Sequence, residues 1–313
     1  MIASLALAAI GLAILVAGPR LASTSWPTQA PRLAILAWQA LTFSAVTAVV
    51  LAGFTLLIPI TALAGGLGAV FHACAASIAS AYGSAEFLPD SLLGAALAVA
   101  VPAWVLACLA WELAAGGRQR RQLHRSIGMV AERDRELGVF VMDADVPAAF
   151  CVPGRKSRIV VTRGTLEALS ADELQGVLAH EAAHLRARHN LAVTVSQALV
   201  RAFPRVRLFQ VASAQTRQLI ELLADDAATV HVDRVSVASA IVSLAEMRAP
   251  AAAMAMAQEG AALRVSRLLQ PASPMEPWRH RVLAGGLWVV LLAPLLIAGL
   301  PTVSAALSDL CNI

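Results

Sequence analysis

Leu178-Ala179-His180-Glu181-Ala182-Ala183-His184 is the most informative segment of this 313-residue chain. Two histidines four residues apart share one face of an α-helix, because a helix has about 3.6 residues per turn, and there they can bind one metal ion. Glu181 lies beside that face. The spacing is typical of a zinc-hydrolase helix, so we predict one Zn2+ per chain, with His180 and His184 as ligands and Glu181 as the catalytic base.

The composition of the chain is that of a membrane protein. Its hydrophobic fraction is 58%, its charged fraction is 14% and its mean hydropathy is +0.71. Apolar stretches free of charge predict four transmembrane helices, at about residues 2–17, 33–64, 91–111 and 282–300. The second exceeds the ~20 residues that cross a bilayer, so tilting or a kink is expected. Residues 65–90 are expected to form an external loop, although the uncharged stretch 66–85 leaves a fifth span open.

Basic residues determine the predicted orientation. Arg20 and Arg32 lie between the first two spans, and every other Lys or Arg lies between Arg118 and Arg281. Because basic loops stay in the cytoplasm, we expect a multi-pass protein of the cell membrane with both termini outside. The chain then divides into a membrane region (1–115), a cytoplasmic domain (116–281) and a fourth span with a short external tail (282–313).

A cluster of basic residues follows the third span and bears on whether the domain binds lipid or nucleic acid. It consists of Arg118, Arg120, Arg121, His124 and Arg125. We interpret it as a stop-transfer signal that also favours contact with anionic membrane lipid. The rest of the domain has mixed charge and few aromatic residues, so direct binding of nucleic acid is not expected.

The four cysteines are too few for a disulfide framework. Cys108 falls in a span and Cys151 in the cytoplasm, where each is expected to be a small apolar residue. Cys74 and Cys311 are both expected outside the cell, so a disulfide between them stays open.

Hydrophobic patterns predict short strands followed by helices in the cytoplasmic domain. The strands are expected at Val139–Met142, Ala148–Val152 and Arg158–Thr162, in a small antiparallel sheet whose edge can hold an extended substrate. Ser170 and Glu173 form a capping box that starts a helix running toward Asn190. Further helices are expected at about 191–203, 207–231, 236–248 and 251–269. The fold class is thus an α-helical membrane protein with an α-rich α+β domain.

A catalytic zinc ion takes three protein ligands, and the helix supplies two. Glu221, on a separate predicted helix, is the best third ligand. Asp225 lies one turn further along the same face, where it can hold a ligand histidine by a hydrogen bond. Alone, these two acids would suit a solvated helix face, but apolar neighbours and the upstream histidines favour a metal site. Asp226 is a rival ligand with a poorer helical phase.

The transition-state oxyanion needs a further donor. His231, Arg264 and Arg267 are the candidates, and the alternative for the two arginines is a salt bridge or a solvated position. Tyr82, the only tyrosine, is expected outside the cell.

Several segments resemble the BlaR/MecR-type membrane metallopeptidases, the antirepressor family with a gluzincin-like domain. The matching residues are Ala149–Gly154, Ile159–Gly164, Glu173–Arg186, Phe203-Pro204 and Glu221 with Ala224 and Asp225. The resemblance covers about residues 116–281, and three spans before the domain with one after fit it. It implies the same ligands and base, and an endopeptidase that cleaves a cytoplasmic protein such as a transcriptional repressor.

The chain departs from that family in two ways. His189 and Asn190 stand where members often have an aspartate after the motif. We expect no penicillin-binding sensor domain, and Lys156, the only lysine, has no serine three residues before it, so covalent sensing of β-lactams is not expected. The signal would then arrive through the external loop, a sensor partner or a homo-oligomer.

Two alternative functions remain open at the level of sequence. One is an HtpX-like membrane quality-control protease, against which the arrangement of spans weighs modestly. The other is a non-catalytic membrane receptor that keeps a bound zinc ion, against which the intact Glu181 weighs.

Overall fold

A computed structural model describes residues 2–57, 93–154, 156–247, 254–271 and 275–311. The N-terminal region forms α1 (Ile2–Ala17), a 3-10 helix (Gly18–Ser23), α2 (Trp26–Gln29) and α3 (Pro31–Leu57). A π-helical turn (Ala96–Ala100) then leads into α4 (Val101–Val130). The predicted loop at 65–90 and the alternative fifth span lie outside the described residues, and so does Cys74, so the question of a disulfide with Cys311 stays open.

The remaining chain forms four strands and seven helices within the described residues. The strands are β1 (Ala131–Arg133), β2 (Phe140–Met142), β3 (Ala149–Val152) and β4 (Arg158–Thr162). The helices are α5 (Arg163–Ala168), α6 (Ala171–Arg186), α7 (His189–Ala202), α8 (Arg207–Ala228), α9 (Arg234–Met247), α10 (Met254–Leu269) and α11 (Pro277–Cys311).

Four of the described helical segments are long and apolar enough to cross a membrane. They are Ile2–Ser23, Pro31–Leu57, Leu93–Val130 and Pro277–Gly299. Each of the four predicted spans therefore matches a candidate membrane-spanning helix among the described residues, and the chain is a multi-pass membrane protein. Two helices are longer than the predicted spans. α4 continues beyond residue 111, through the basic cluster, to Val130, and α11 continues beyond residue 300 to Cys311.

The sheet is larger than predicted and is not purely antiparallel. Its strand order is β1-β2-β4-β3, with β2 and β4 parallel and the other two pairs antiparallel. The prediction of two or three antiparallel strands is therefore wrong. β1 reads Ala-Glu-Arg and has no apolar alternation to reveal it, and the parallel pair depends on long-range register. β3 occupies one edge of the sheet and packs against α6.

Helix α6 begins as the sequence predicts but ends earlier. Ser170 accepts from the backbone of Glu173, whose side chain accepts from the backbone of Ser170, so the capping box is present. The helix ends at Arg186 and does not continue to Asn190, because Arg188 adopts a left-handed conformation with φ of 50°. A new helix, α7, starts at His189. The turn places His189 in contact with His184.

Two hydrophobic clusters hold the helices that carry the site. One joins α6 to the sheet and to α9 and includes Val161, Val177 and Ala240. The other joins α8 to α3. Its fully buried members are Ala34, Trp38, Ala45, Leu208, Ala212, Leu219 and Leu222. Helix α8 is therefore packed directly against a membrane-spanning helix.

Candidate metal centre

The two motif histidines point their Nε2 atoms toward one another. His180 is 9% exposed, His184 is partly buried, and their Nε2 atoms lie 3.1 Å apart. This convergence follows from the four-residue spacing on α6, which places the two side chains one above the other. Two imidazole nitrogens at this distance can share a proton or a metal ion.

Glu221 of α8 completes the group. Its Oε2 lies 3.4 Å from Nε2 of His180, and its Oε1 lies 3.6 Å from Nε2 of His184. The three ligand atoms lie within 4.8 Å of one another. Zinc bonds of about 2.0–2.2 Å in a tetrahedral arrangement place ligand atoms roughly 3.3–3.6 Å apart. These donors therefore fit a zinc ion with little movement.

Asp225 lies behind His180, opposite the metal-binding nitrogen. The carboxylate is 1% exposed and lies 2.9 Å from Nδ1 of His180. It also accepts from Nε of Arg264 at 2.7 Å and from Nη2 at 2.6 Å. Burial alone would raise the pKa of Asp225, but the bonds from Arg264 and His180 outweigh it and lower this pKa. Asp225 is thus an anion that directs Nε2 of His180 toward the centre.

The two histidines have different proton affinities. Burial alone would lower the pKa of His180, but hydrogen bonds to Asp225 and Glu221 outweigh it and raise this pKa to about 9. Burial and the neighbouring His180 lower the pKa of His184. Protons and a metal ion therefore compete mainly at His180.

A cleft of about 360 Å³ opens beside two of the ligands, His180 and Glu221. Glu181 faces it from α6 and is half-buried. The opposite wall is mainly apolar, and its members on α9 are Val237, Ala240, Ile241, Leu244 and Ala245. The cleft therefore places a carboxylate next to the candidate metal site and an apolar wall where a substrate side chain can lie.

Cys151 lies beside Glu181, a contact that the sequence did not reveal. The residue belongs to the edge strand β3, and burial together with the charge and hydrogen bond of Glu181 raises its pKa to about 12. The thiol therefore stays protonated at neutral pH and is a poor nucleophile. Its strand position was predictable, but its distance to the motif depends on the packing of β3 on α6.

The structure places only one of the three candidate oxyanion donors at the cleft. Arg264 lines it, and its Nη1 lies 3.3 Å from Glu221. Arg267 instead binds Asp226 at 2.6 and 3.0 Å, and the carbonyl of Thr28 at 2.9 Å. His231 is exposed beyond the end of α8 and is not part of the cleft lining. The expectation is corrected for these two residues, and the rival ligand Asp226 is occupied by Arg267.

His189 is a further residue at the centre that the sequence marked only as a departure. Its Nδ1 lies 3.1 Å from Nδ1 of His184, and the two rings meet edge to face at 5.0 Å. Burial and the neighbouring His184 lower the pKa of His189 to about 4. No sequence signal identified this contact, because it depends on the left-handed turn at Arg188.

Two histidines and a glutamate that converge beside a half-buried glutamate define a membrane zinc metallopeptidase, in a chain whose described part contains four candidate spans. The chain belongs to peptidase family M48, whose family model matches residues 117–274, just over half of its length. Members of this family are zinc-dependent.

Similar proteins from three bacteria carry the name protease HtpX homolog. The chain is 47% identical over 64 residues to that of Acidiphilium cryptum (20% of this chain, 22% of the relative). It is 37% identical over 79 residues to that of Aquifex aeolicus (24% and 26%) and 39% identical over 74 residues to that of Gemmatimonas aurantiaca (23% and 26%). The chain thus spans about a quarter of these relatives. No solved structure matches it significantly.

Proposed function

We propose that this protein is a membrane-embedded zinc endopeptidase in which His180, His184 and Glu221 hold the metal and Glu181 is the general base. The observation that carries the proposal is the convergence of three ligand atoms within 4.8 Å next to Glu181. A zinc ion held there supplies a Lewis acid for the scissile carbonyl and the attacking water.

The side chains divide the remaining chemistry among them. Glu181 takes a proton from the attacking water and returns it to the leaving nitrogen, as a carboxylate at the edge of the cleft can do. The apolar wall of α9 receives a side chain of the substrate. Arg264 is the candidate oxyanion donor. Its Nε and Nη2 are hydrogen-bonded to Asp225, so the donor that remains is Nη1, which lies 3.3 Å from Glu221.

The test is the Glu181→Gln variant of the full chain, purified in detergent and loaded with zinc. We expect zinc content to stay near one ion per chain and cleavage of an unfolded protein such as casein to fall by about 10²–10⁴-fold, as for loss of a general base. His231→Gln, outside the cleft, is the control and should cleave normally. Normal cleavage by Glu181→Gln would refute the mechanism, and a wild-type chain that binds zinc without cleaving would favour the receptor function.

HtpX-like quality control is the first choice of biological role, because the relatives are protease HtpX homologs. Cleavage of a cytoplasmic transcriptional repressor is the second role, and it is favoured by the three candidate spans before the domain and the one after it that the described residues contain. Proteomes of cells with wild-type and Glu181→Gln protein distinguish the two. Quality control predicts that many damaged membrane proteins accumulate in the variant, whereas repressor cleavage predicts one or a few cytoplasmic substrates.

A further inference from the structure

We propose that His189 is a positioning residue that orients His184 by accepting a hydrogen bond from its Nδ1–H. The inference rests on the proposed ligand set. It assigns a role to the residue that stands where the resemblance led us to expect an aspartate.

The position of the proton follows from the geometry. If Nε2 of His184 binds the metal, the ring proton of His184 must be on Nδ1. Nδ1 of His189 is 3.1 Å away, within hydrogen-bond distance. This atom must then be the acceptor, and His189 carries its own proton on Nε2. One proton thus lies between the two facing Nδ1 atoms. Nε2 of His184 is free to bind a metal only when that proton belongs to His184.

The backbone brings His189 to this place. In a continuous helix a residue five positions on is turned by about 140° from the first, so residue 189 would lie away from His184. Helix α6 ends instead at Arg186, and Arg188 takes a left-handed conformation that costs about 1 kcal/mol or more in a residue other than glycine. This turn changes the direction of the chain, so that His189, the first residue of α7, contacts His184.

The two ligand histidines therefore have different supports. His180 is held by Asp225, a buried anion, whereas His184 is held by an imidazole. A metal-ligating histidine usually donates its other N–H to a carboxylate, a carbonyl or water. An imidazole acceptor fixes the ring in the same way but adds no negative charge to the centre.

The experiment measures zinc affinity of the detergent-solubilised full chain by competition with a chelator. For His189→Ala we expect zinc binding about 10–100-fold weaker than wild type, the usual effect of losing such a support. For His189→Asn, whose side-chain oxygen can take the place of the accepting nitrogen, we expect affinity restored to within a few-fold. At saturating zinc, kcat of His189→Ala should fall while KM changes little, because His189 is not among the residues that line the cleft.

His231→Ala is the matched control, since that histidine is exposed and outside the cleft lining. Unchanged zinc affinity in His189→Ala would overturn the proposal, and so would equal losses in the Ala and Asn variants. The readout is independent of peptide cleavage. Failure of the proposed function would appear as an inactive wild-type chain, whereas failure of this inference would appear as wild-type zinc binding in His189→Ala.

Discussion

Among single residues, Asp225 is the most tightly constrained side chain of the site. It is 1% exposed and bonded to both His180 and Arg264. We expect Asp225→Asn to break a buried ion pair and to leave Glu221 as the remaining anion beside Arg264, at a cost of about 3–5 kcal/mol at most. Zinc affinity should fall about 10–100-fold as His180 loses its support. Thermal unfolding and chelator competition measure the two effects.

Asp226→Asn is a control one residue away. Asp226 binds Arg267 near the surface, with 44% of its side chain exposed, so its loss should cost no more than ~1 kcal/mol. Zinc affinity should not change, because Asp226 is not part of the metal cluster. Equal effects of the two substitutions would show that Asp225 has no special role.

The predictability of the site residues depends on how local their contacts are. His180, Glu181 and His184 share one helix, so their spacing alone predicted that they meet. Placing Glu221 beside them required a helix pair that sequence could only suggest. His189 could not be predicted, because nothing in an arginine at position 188 signals a left-handed turn.

Among the elements, the junction of α6 and α9 is sensitive to pH through Glu173. Its carboxylate accepts from the side chain of Ser239 on α9 and from the backbone and hydroxyl of Ser170. These hydrogen bonds outweigh the effect of burial and lower the pKa of Glu173 from its ordinary value. A lowered pKa in the folded state stabilises the protein above the unfolded value, and this contribution is lost as the pH falls through the folded pKa.

We expect Glu173→Gln to be less stable than wild type by about 0.3–1 kcal/mol at pH 7, because glutamine keeps the capping-box acceptor but loses the negative charge at the helix N-terminus. This gap should narrow as the pH falls through the folded pKa of Glu173. Thermal unfolding at pH 7, 5 and 4 measures it. Asp172→Asn is the control: this residue shares the first turn of α6 and its helix dipole. A gap that stayed constant down to pH 4 would contradict the assignment to Glu173.

The helices were easier to predict than the sheet for a physical reason. A capping box and an apolar stripe are local signals, so the starts of α6 and α8 agree with prediction to within a residue. The parallel pairing of β2 with β4 is decided by the path of the chain between them, which no strand encodes. The continuation of α4 past the membrane was missed because charged residues were taken as the boundary of the span, although they are compatible with a helix.

For the whole molecule, helix α8 connects the metal centre to the membrane region. One side of α8 carries Glu221 and Asp225, and another buries Leu219 and Leu222 against Trp38 of α3. A fragment cut at residue 116 would expose that apolar face. We therefore expect the catalytic unit to depend on the span for its fold, and the site to work on the side of the membrane where the N-terminal end of α3 lies.

The orientation of the spans in the membrane is a prediction from charge. Because α8 packs on α3, this orientation also decides on which side of the membrane the metal centre lies. Basic residues near Pro31 and throughout the domain predict that this end of α3 is cytoplasmic. We expect an impermeant maleimide to label Glu136→Cys, at an exposed domain position, only after cell lysis, in a background without native cysteines. A phosphatase fused to the C-terminus should be active, because that end is expected outside. Labelling of intact cells with an inactive fusion would reverse the orientation and place proteolysis outside the cell, where a cytoplasmic repressor could not be the substrate.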